Sequence, residues 1–176
     1  PTICTDIIYW DYKLLEKDLD VIWASPDCRS WSIATHRHRT ISDMSPKTQI
    51  AVDGEKMVLR TLEIIEYFDP RYWFIENPRG RLRHWDPIKD WYKKMCSHHR
   101  PTLVHFGDYG HYIRKPTDIW TNSRDWKPRP LAYTKTELSN LKYINNKGGK
   151  SRAELRHAMP SAFCDDIVIS CSIKKN

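Results

Sequence analysis

The 176-residue sequence lacks long apolar runs, paired cysteines and internal repeats, and each absence excludes a class of protein. No apolar stretch approaches the roughly 18 residues of a membrane-spanning helix, and no secretory signal peptide is recognisable. The five cysteines are irregularly spaced without a CxxC pair, which does not indicate a disulfide framework. These features predict a soluble protein of a reducing, intracellular compartment, either cytoplasm or nucleus.

The composition favours a folded domain with a polyanionic partner. Hydrophobic residues make up 40% of the chain and eight are tryptophans, so the sequence can bury a core despite its high charge. The formal net charge is +7, and the basic residues are interleaved with aromatic ones. This balance favours nucleic acid as the partner.

The stretch from Asp20 to Ser32 contains the first candidate site. Val21 to Ala24 form a short apolar run typical of a buried strand, and the following Ser-Pro-Asp favours a turn. Cys28 therefore lies just past the carboxyl end of a strand, where open α/β sheets bind ligands. Because Arg29 and hydroxyl side chains surround it, Cys28 is a candidate nucleophile with a lowered thiol pKa. Burial of a small residue at a strand end is the alternative.

The remaining elements predict an α/β fold. Residues 1–10 resemble the end of a strand, and a capping Ser45 before Pro46 predicts a helix that runs to Phe68. A strand at 72–75, a helix at 87–97, strands at 102–106 and 117–121, and a helix from 161 to about 172 follow. Phe163, Ile167, Val168 and Cys171 are expected on the buried face of that last helix. This strand–helix–strand order is typical of a parallel sheet.

A second polar group follows the next predicted strand. Glu76 and Asn77 come directly after Tyr72 to Ile75. If the two strands are neighbours, the Cys28 thiol and the Glu76 carboxyl group lie side by side. A thiol can then attack an electron-poor ring carbon while the carboxyl group hydrogen-bonds or protonates the ring nitrogen. For Glu76 alone, helix capping or ion pairing is the simpler interpretation.

Three motifs in this order resemble those of DNA cytosine-5 methyltransferases. They are Pro26-Asp27-Cys28 with Ser32, Phe74 to Asn77, and Tyr109-Gly110 followed by Arg114-Lys115. The longer strings 76–83, 114–122 and 152–167 resemble compact phage and large-DNA-virus members, and the resemblance covers about residues 5–167. It implies a mainly parallel, Rossmann-like sheet of the S-adenosylmethionine-dependent type, N-terminally truncated. Residues 1–176 would form a single catalytic domain, with 123–150 a short basic segment in place of a target-recognition domain.

The resemblance also implies a reaction and a set of site residues. The chain would transfer a methyl group from S-adenosylmethionine to carbon 5 of cytosine in DNA, after flipping the base out of the duplex. Cys28 would attack carbon 6, Glu76 would contact the N3 edge, and Arg114 or Lys115 would hold the base and its phosphate. The implied cofactor residues are Asp6, Ile7, Pro26 and Met57. The implied nucleic-acid contacts are Ser32, Arg37, Arg39, Arg79 and Arg81.

The sequence departs from the family pattern in four places. The glycine-rich cofactor loop and the acidic residue after it are absent, so a missing segment or a partner chain would have to complete the cofactor site. Asp27 replaces a proline and should oppose the Cys28 thiolate. Ile113, Lys115 and Thr117 stand where the family has Gln and two Arg, and lysine lacks the guanidinium fork. The short segment at 123–150 predicts low sequence specificity, because its basic residues would touch mainly phosphate.

Three alternatives stay open. The chain could bind nucleic acid without methylating it, as an inactive or partner-dependent relative. An adenine methyltransferase is less consistent, because that chemistry needs no thiol. A zinc site at His36 and His38, or at Cys96 with His98 and His99, lacks a second pair of ligands at the usual spacing, so no metal is expected. His36 to Arg39 are instead expected in a basic loop that faces DNA.

Overall fold

The computed structural model describes residues 3–33, 36–96, 100–111, 114–130 and 158–172. The chain divides into two compact units. The first comprises residues 1–101 with 119–122, and the second comprises residues 102–118 with 123–176. The prediction of a single catalytic domain over 1–176 stays a prediction, and residues 131–150 of the expected basic segment lie outside the described part.

The first unit begins with a turn. The prediction that residues 1–10 end a strand is wrong for the described residues from Ile3 onward. The backbone N–H groups of Tyr9 and Trp10 both donate to the Asp6 carbonyl, at 3.1 and 3.0 Å. The Asp6 carboxylate accepts from the N–H of Ile8 at 2.9 Å. An aspartate that satisfies nearby backbone groups in this way favours a turn over a strand.

Helix α1 spans Gln49–Phe68 and strand β1 spans Val21–Ala24. The helix starts three residues after the predicted Pro46, because Pro46 instead forms a bridge with Arg39. Its end agrees with the sequence: Asp69 adopts a left-handed conformation, its N–H donates to the Ile65 carbonyl, and a proline follows. Apolar residues at helical spacing form the buried face of α1, namely Val58, Leu62, Ile65 and Phe68.

Strand β2, Tyr72–Pro78, pairs in parallel with β1. Val21 is opposite Tyr72 and Ala24 is opposite Ile75. Helix α2, Asp86–Met95, buries Ile88, Trp91 and Tyr92. The core of this unit is rich in tryptophan, with the rings of Trp73 and Trp91 centred 4.9 Å apart.

Two further strands complete a four-stranded sheet in the order β1-β2-β4-β3. Strand β3 spans Thr102–His105, and β4, Pro116–Thr121, contributes residues to both units. The prediction of a mainly parallel sheet is wrong: β1 with β2 is the parallel pair that the described residues show. The connection from β3 to β4 is too short for the crossover that a parallel pair needs. The α/β class is confirmed.

The second unit contains helix α3, Ser161–Ser172. Phe163 of α3 packs against Phe106 and Tyr109, with ring centroids 5.1 and 5.0 Å apart. Phe163 and Ile167 are buried as predicted, whereas Val168 is 63% exposed and Cys171 is half-buried. The prediction of burial was wrong for Val168. The buried face of α3 includes Phe163 and Ile167 but does not extend to Val168, although that residue is apolar.

Candidate active site at the Cys28 loop

Cys28 lies in a tight turn directly after β1. The N–H groups of Trp31 and Ser32 both donate to the Cys28 carbonyl at 3.0 Å. The turn is fixed by burial on both sides of the cysteine, since Pro26, Ser30 and Trp31 are buried while Cys28 itself is half-buried. We call residues 25–32 the Cys28 loop. The backbone therefore presents the cysteine on a loop whose neighbours are anchored in the core.

The end of β2 is fastened to this loop. The Asn77 side-chain amide donates to the Pro26 carbonyl at 2.9 Å, and Asn77 is fully buried. The parallel register ends with Ala24 opposite Ile75, and Ser25 and Glu76 are the next residues along the two segments. The two strands are neighbours, so the predicted proximity of their ends is observed. Glu76 is 7% exposed, which places a carboxyl group in a shielded position beside the Cys28 loop.

A second backbone contact joins the two segments beyond Asn77. The Arg81 N–H donates to the Trp31 carbonyl at 2.8 Å. Gly80 permits this approach, since a Cβ atom there would lie 2.4 Å from the same carbonyl oxygen. Only a residue without a side chain fits that position without displacing the backbone.

Arg39 is buried beneath the Cys28 loop, which contradicts its predicted contact with DNA. The residue is 0% exposed, and its guanidinium group lies 3.4 Å from the centre of the Trp31 ring. It donates to Glu55 at 2.6 Å and to the carbonyls of Met44 and Ala51 at 2.9 Å. Burial lowers the Arg39 pKa, and the contact with Glu55 opposes that shift. Arg39 supports the loop from within the protein.

The other predicted nucleic-acid contacts divide by exposure. Arg81 is 7% exposed and donates to the Arg39 carbonyl at 3.3 Å, so its burial also contradicts a direct contact with DNA. Arg37 and Arg79 are exposed, and Ser32 is half-buried. Arg37 donates to the buried His38 ring at 3.4 Å. Three of the five residues thus remain accessible to a partner.

The charges next to Cys28 neutralise each other. Arg29 donates to the Asp27 carboxylate through its backbone N–H at 2.8 Å and its Nε at 2.6 Å. This hydrogen bond and the charge of Asp27 raise the Arg29 pKa. Arg29 was expected to supply a positive charge beside Cys28, but that charge is paired with Asp27. Because Asp27 is paired with Arg29, its negative charge disfavours a Cys28 thiolate less than an unpaired carboxylate would.

The predicted cofactor residues separate into two places. Met57 on α1 lies against the Cys28 loop, where its sulfur accepts from the Asp27 N–H at 3.3 Å. Pro26 belongs to the same loop. Ile7 instead lines an apolar cavity of about 300 Å³ with Trp10, Ile22, Thr61 and Ile64. Asp6 is exposed in the turn just before this cavity.

Arg114 and Lys115 belong to the second unit. Both are half-buried, and the Lys115 ammonium lies 4.8 Å from the centre of the Phe106 ring. Lys115 has a φ of +33°, an uncommon backbone conformation for a residue with a side chain. The Ile113 position of the same motif lies outside the described residues.

The structure adds site features that the sequence did not predict. Trp31 and Gly80 hold the two strand ends together, and Arg83, Lys89 and Arg100 line a basic groove with Arg79. A glycine directly after the Pro78-Arg79 turn was the available signal for a close backbone approach. Alternate arginines at 79, 81 and 83 gave no signal for which of them is buried.

The histidines and cysteines that the sequence offers as an alternative zinc site have other contacts where they are described. Across the described ranges, no group of three or more His, Cys, Asp or Glu side chains could hold a metal ion. The His38 ring pairs with the Thr48 hydroxyl at 2.8 Å, and the Cys96 thiol donates to the Tyr92 carbonyl at 3.4 Å. The His36 side chain and residues His98 and His99 lie outside the described part. Among the helices described, none is long and apolar enough to cross a membrane.

A thiol and a shielded carboxyl group at neighbouring strand ends of a mixed α/β domain are consistent with a methyltransferase of the cytosine-5 type. No protein-family model matches the chain. The sequence is similar to a Probable DNA (cytosine-5)-methyltransferase from Frog virus 3 (isolate Goorha). The two are 27% identical over 187 residues, which cover 94% of this chain and 83% of the relative. The resemblance to this family is confirmed.

Proposed function

We propose that the chain acts on carbon 5 of cytosine in DNA through a covalent adduct with Cys28. The observation that supports this most is the hydrogen bond from Asn77 to the Pro26 carbonyl, which fastens the Glu76 segment to the Cys28 loop. A nucleophile and an acid that serve one heterocycle must be held together in this way. The name of the viral relative supports the same substrate and the same ring carbon.

The two side chains have complementary roles in this proposal. The Cys28 thiolate attacks carbon 6 of the flipped cytosine, and the electron pair of the C5–C6 bond moves toward carbon 5. Glu76 holds the N3 edge by a hydrogen bond or a proton, which stabilises the charge that develops on the ring. Carbon 5 is then nucleophilic and bonds to an electrophile, which is a solvent proton in the exchange reaction and would be a methyl group in the full reaction. A base then removes the original proton from carbon 5, its electron pair re-forms the C5–C6 double bond, and the bond between carbon 6 and the Cys28 sulfur breaks. That Arg114 or Lys115 would hold the base and phosphate stays a prediction of the family resemblance.

S-adenosylmethionine is the methyl donor that the family resemblance implies, but the described residues fit it only in part. The cavity beside Ile7 has the apolar lining that suits an adenine ring. Among the described residues that line it, none carries a charge, and the Thr61 hydroxyl donates to the Met57 carbonyl. The zwitterionic end of the cofactor therefore has no partner there. We infer that other residues or a partner chain complete the site.

The adduct can be tested without the cofactor. Because attack at carbon 6 makes carbon 5 basic, the chain should release tritium from DNA that carries 5-tritiated cytosine. Cys28→Ser should abolish this release, and Glu76→Gln should slow it at least about tenfold while leaving the fold intact. Cys164→Ser, an exposed thiol in the second unit, is the matched control and should exchange like the parent. Exchange that survives Cys28→Ser would contradict the covalent mechanism.

The binding-only alternative predicts a different pattern. A chain that merely binds nucleic acid would show salt-dependent affinity for DNA and no tritium release by any variant. A calorimetric titration with S-adenosylmethionine separates the remaining cases. Binding together with exchange would indicate a functional methyltransferase. Exchange without binding would indicate a chain that needs additional residues to complete the cofactor site.

A further inference from the structure

A basic groove of about 540 Å³ lies in the first unit, next to the candidate active site. Arg79 and Arg100 are exposed and Arg83 is half-buried. Among the described residues that line the groove, none is an aspartate or a glutamate. Its basic and apolar lining includes Ile33, Arg79, Arg83, His84, Lys89 and Arg100.

Three arginines line the groove, and two of them, Arg79 and Arg100, are exposed. Lys89 also lines the groove, but its ammonium pairs with Asp86 at 2.6 Å, and both side chains are at least half exposed. That pair leaves little net charge. Guanidinium groups present planar donor forks that match the oxygen atoms of a phosphate. A concave surface with several such groups concentrates positive potential toward an anionic ligand.

Burial and the positive charges of the groove lower the pKa of His84, which also lines it. Partial burial lowers the His84 pKa, and the positive charges of Arg83, Lys89 and Arg79 lower it further. The cationic side chains are therefore close enough together to disfavour an additional positive charge. An anion bound among them would reverse that effect.

The chain connects this groove to both halves of the candidate site. Ile33, which is 57% exposed at the groove, follows the last residue of the Cys28 loop. Arg79 is three residues past Glu76 on the other side. Gly80 lines the groove and also packs against the Trp31 carbonyl. The groove therefore begins directly after the Cys28 loop and directly after the end of β2.

We propose that this groove binds the phosphate groups of the DNA strand that carries the target cytosine. Phosphates follow one another along a single strand at short intervals, so a strand whose base enters the site places its neighbouring phosphates nearby. The exposed Ile33 side chain would contact a deoxyribose between them. The identification of the ligand rests on the proposed function, whereas phosphate binding itself follows from the arginines.

The test measures how affinity depends on salt. Fluorescence anisotropy with a short labelled DNA containing cytosine gives the slope of log K against log salt for each variant. Each lost phosphate contact should reduce the slope by about 0.7–0.9. The triple variant Arg79→Gln, Arg83→Gln, Arg100→Gln should therefore reduce it by about 2–3 and bind DNA more weakly at low salt.

Arg71→Gln is the matched control, because Arg71 is exposed just before the opposite end of β2. It should leave the slope close to that of the parent. A triple variant with the same slope as Arg71→Gln would overturn the proposal. If the triple variant unfolds, the single variants at the exposed Arg79 and Arg100 decide the question, each with an expected reduction of about 0.7–0.9.

Tritium release distinguishes a failure of the groove from a failure of the proposed function. Release by the parent with an unchanged slope in the triple variant would overturn the groove and leave the reaction in place. A reduced slope without any release would support phosphate binding and contradict the reaction.

Discussion

Arg39 and Arg79 have the same side chain and lie in equally basic stretches, but the structure uses them in opposite ways. Arg39 is 0% exposed, stacked on Trp31 and bonded to Glu55 and two carbonyls. Arg79 is exposed and faces a groove whose charge is mostly positive. Arg39 packs under the Cys28 loop and stabilises it, whereas Arg79 lies on the surface next to the site, where a ligand can reach it. Basic residues in a sequence thus do not by themselves define a nucleic-acid surface.

The largest expected effect comes from removing the buried member of this comparison. Arg39→Met deletes the guanidinium and leaves the Glu55 carboxylate without this charged donor. Breaking a buried pair in this way costs about 3–5 kcal/mol of unfolding free energy. Arg79→Gln should stay within about 0.5 kcal/mol of the parent. Urea denaturation measures the unfolding free energy of both variants. Equal midpoints would contradict a structural role for Arg39 that Arg79 does not share.

Local patterns in the sequence predicted most elements of the first unit. The apolar run 21–24 and the helical spacing through Phe68 predicted the bounds of β1 and the end of α1 correctly. The predicted burial of β1 was wrong, since Val21 is exposed and the three residues after it are half-buried. The start of α1 was missed because Ser45 and Pro46 have the residue types of a helix start, while Pro46 instead pairs with Arg39 across a loop. That pairing depends on a contact between segments, and no local preference encodes it.

The candidate site was predictable only as far as strand ends can be predicted. Cys28 and Glu76 follow two apolar runs, so their approach required only that the runs pair as neighbours, which they do. The burial of Arg39 and Arg81 could not be predicted, because it depends on Trp31, Glu55 and the backbone carbonyls that surround them. The mainly parallel sheet was predicted from the strand–helix–strand order of β1, α1 and β2, and that order does not extend to the short connection between β3 and β4.

Two asparagines also separate a role in the site from a role in stability, because one contacts each end of β2. Asn77 donates to the Pro26 carbonyl in the site, and Asn122 accepts from the Trp73 N–H near the start of the strand. Asn77→Ala and Asn122→Ala should each lose about 1–3 kcal/mol, because each leaves a backbone group without its partner. Only Asn77→Ala should also slow tritium release from cytosine, by about tenfold or more, since it loosens the Cys28 loop.

Thermal unfolding and the exchange assay together decide this pair of variants. A similar loss of stability with unequal exchange would assign Asn77 a positioning role. Equal exchange in both variants would mean that the fastening of the two strand ends does not matter to the chemistry.

The smallest expected effect is a change in the titration of His84, which reports directly on the exposed arginines. Burial lowers the His84 pKa most, and the positive charges of Arg83, Lys89 and Arg79 lower it further, in that order. Because a lowered pKa means that the folded state binds the proton less readily than the unfolded chain, His84 reduces stability as the pH falls through about 6.5. Arg83→Gln should raise the His84 pKa more than Arg79→Gln does, while Lys13→Gln should leave it unchanged. Histidine proton NMR, assigned with His84→Gln, measures the three values. If the His84 pKa is unchanged in both arginine variants, the charges of Arg79 and Arg83 do not act on the groove. Arg79 would then not differ from the buried Arg39 in supplying positive charge to a ligand.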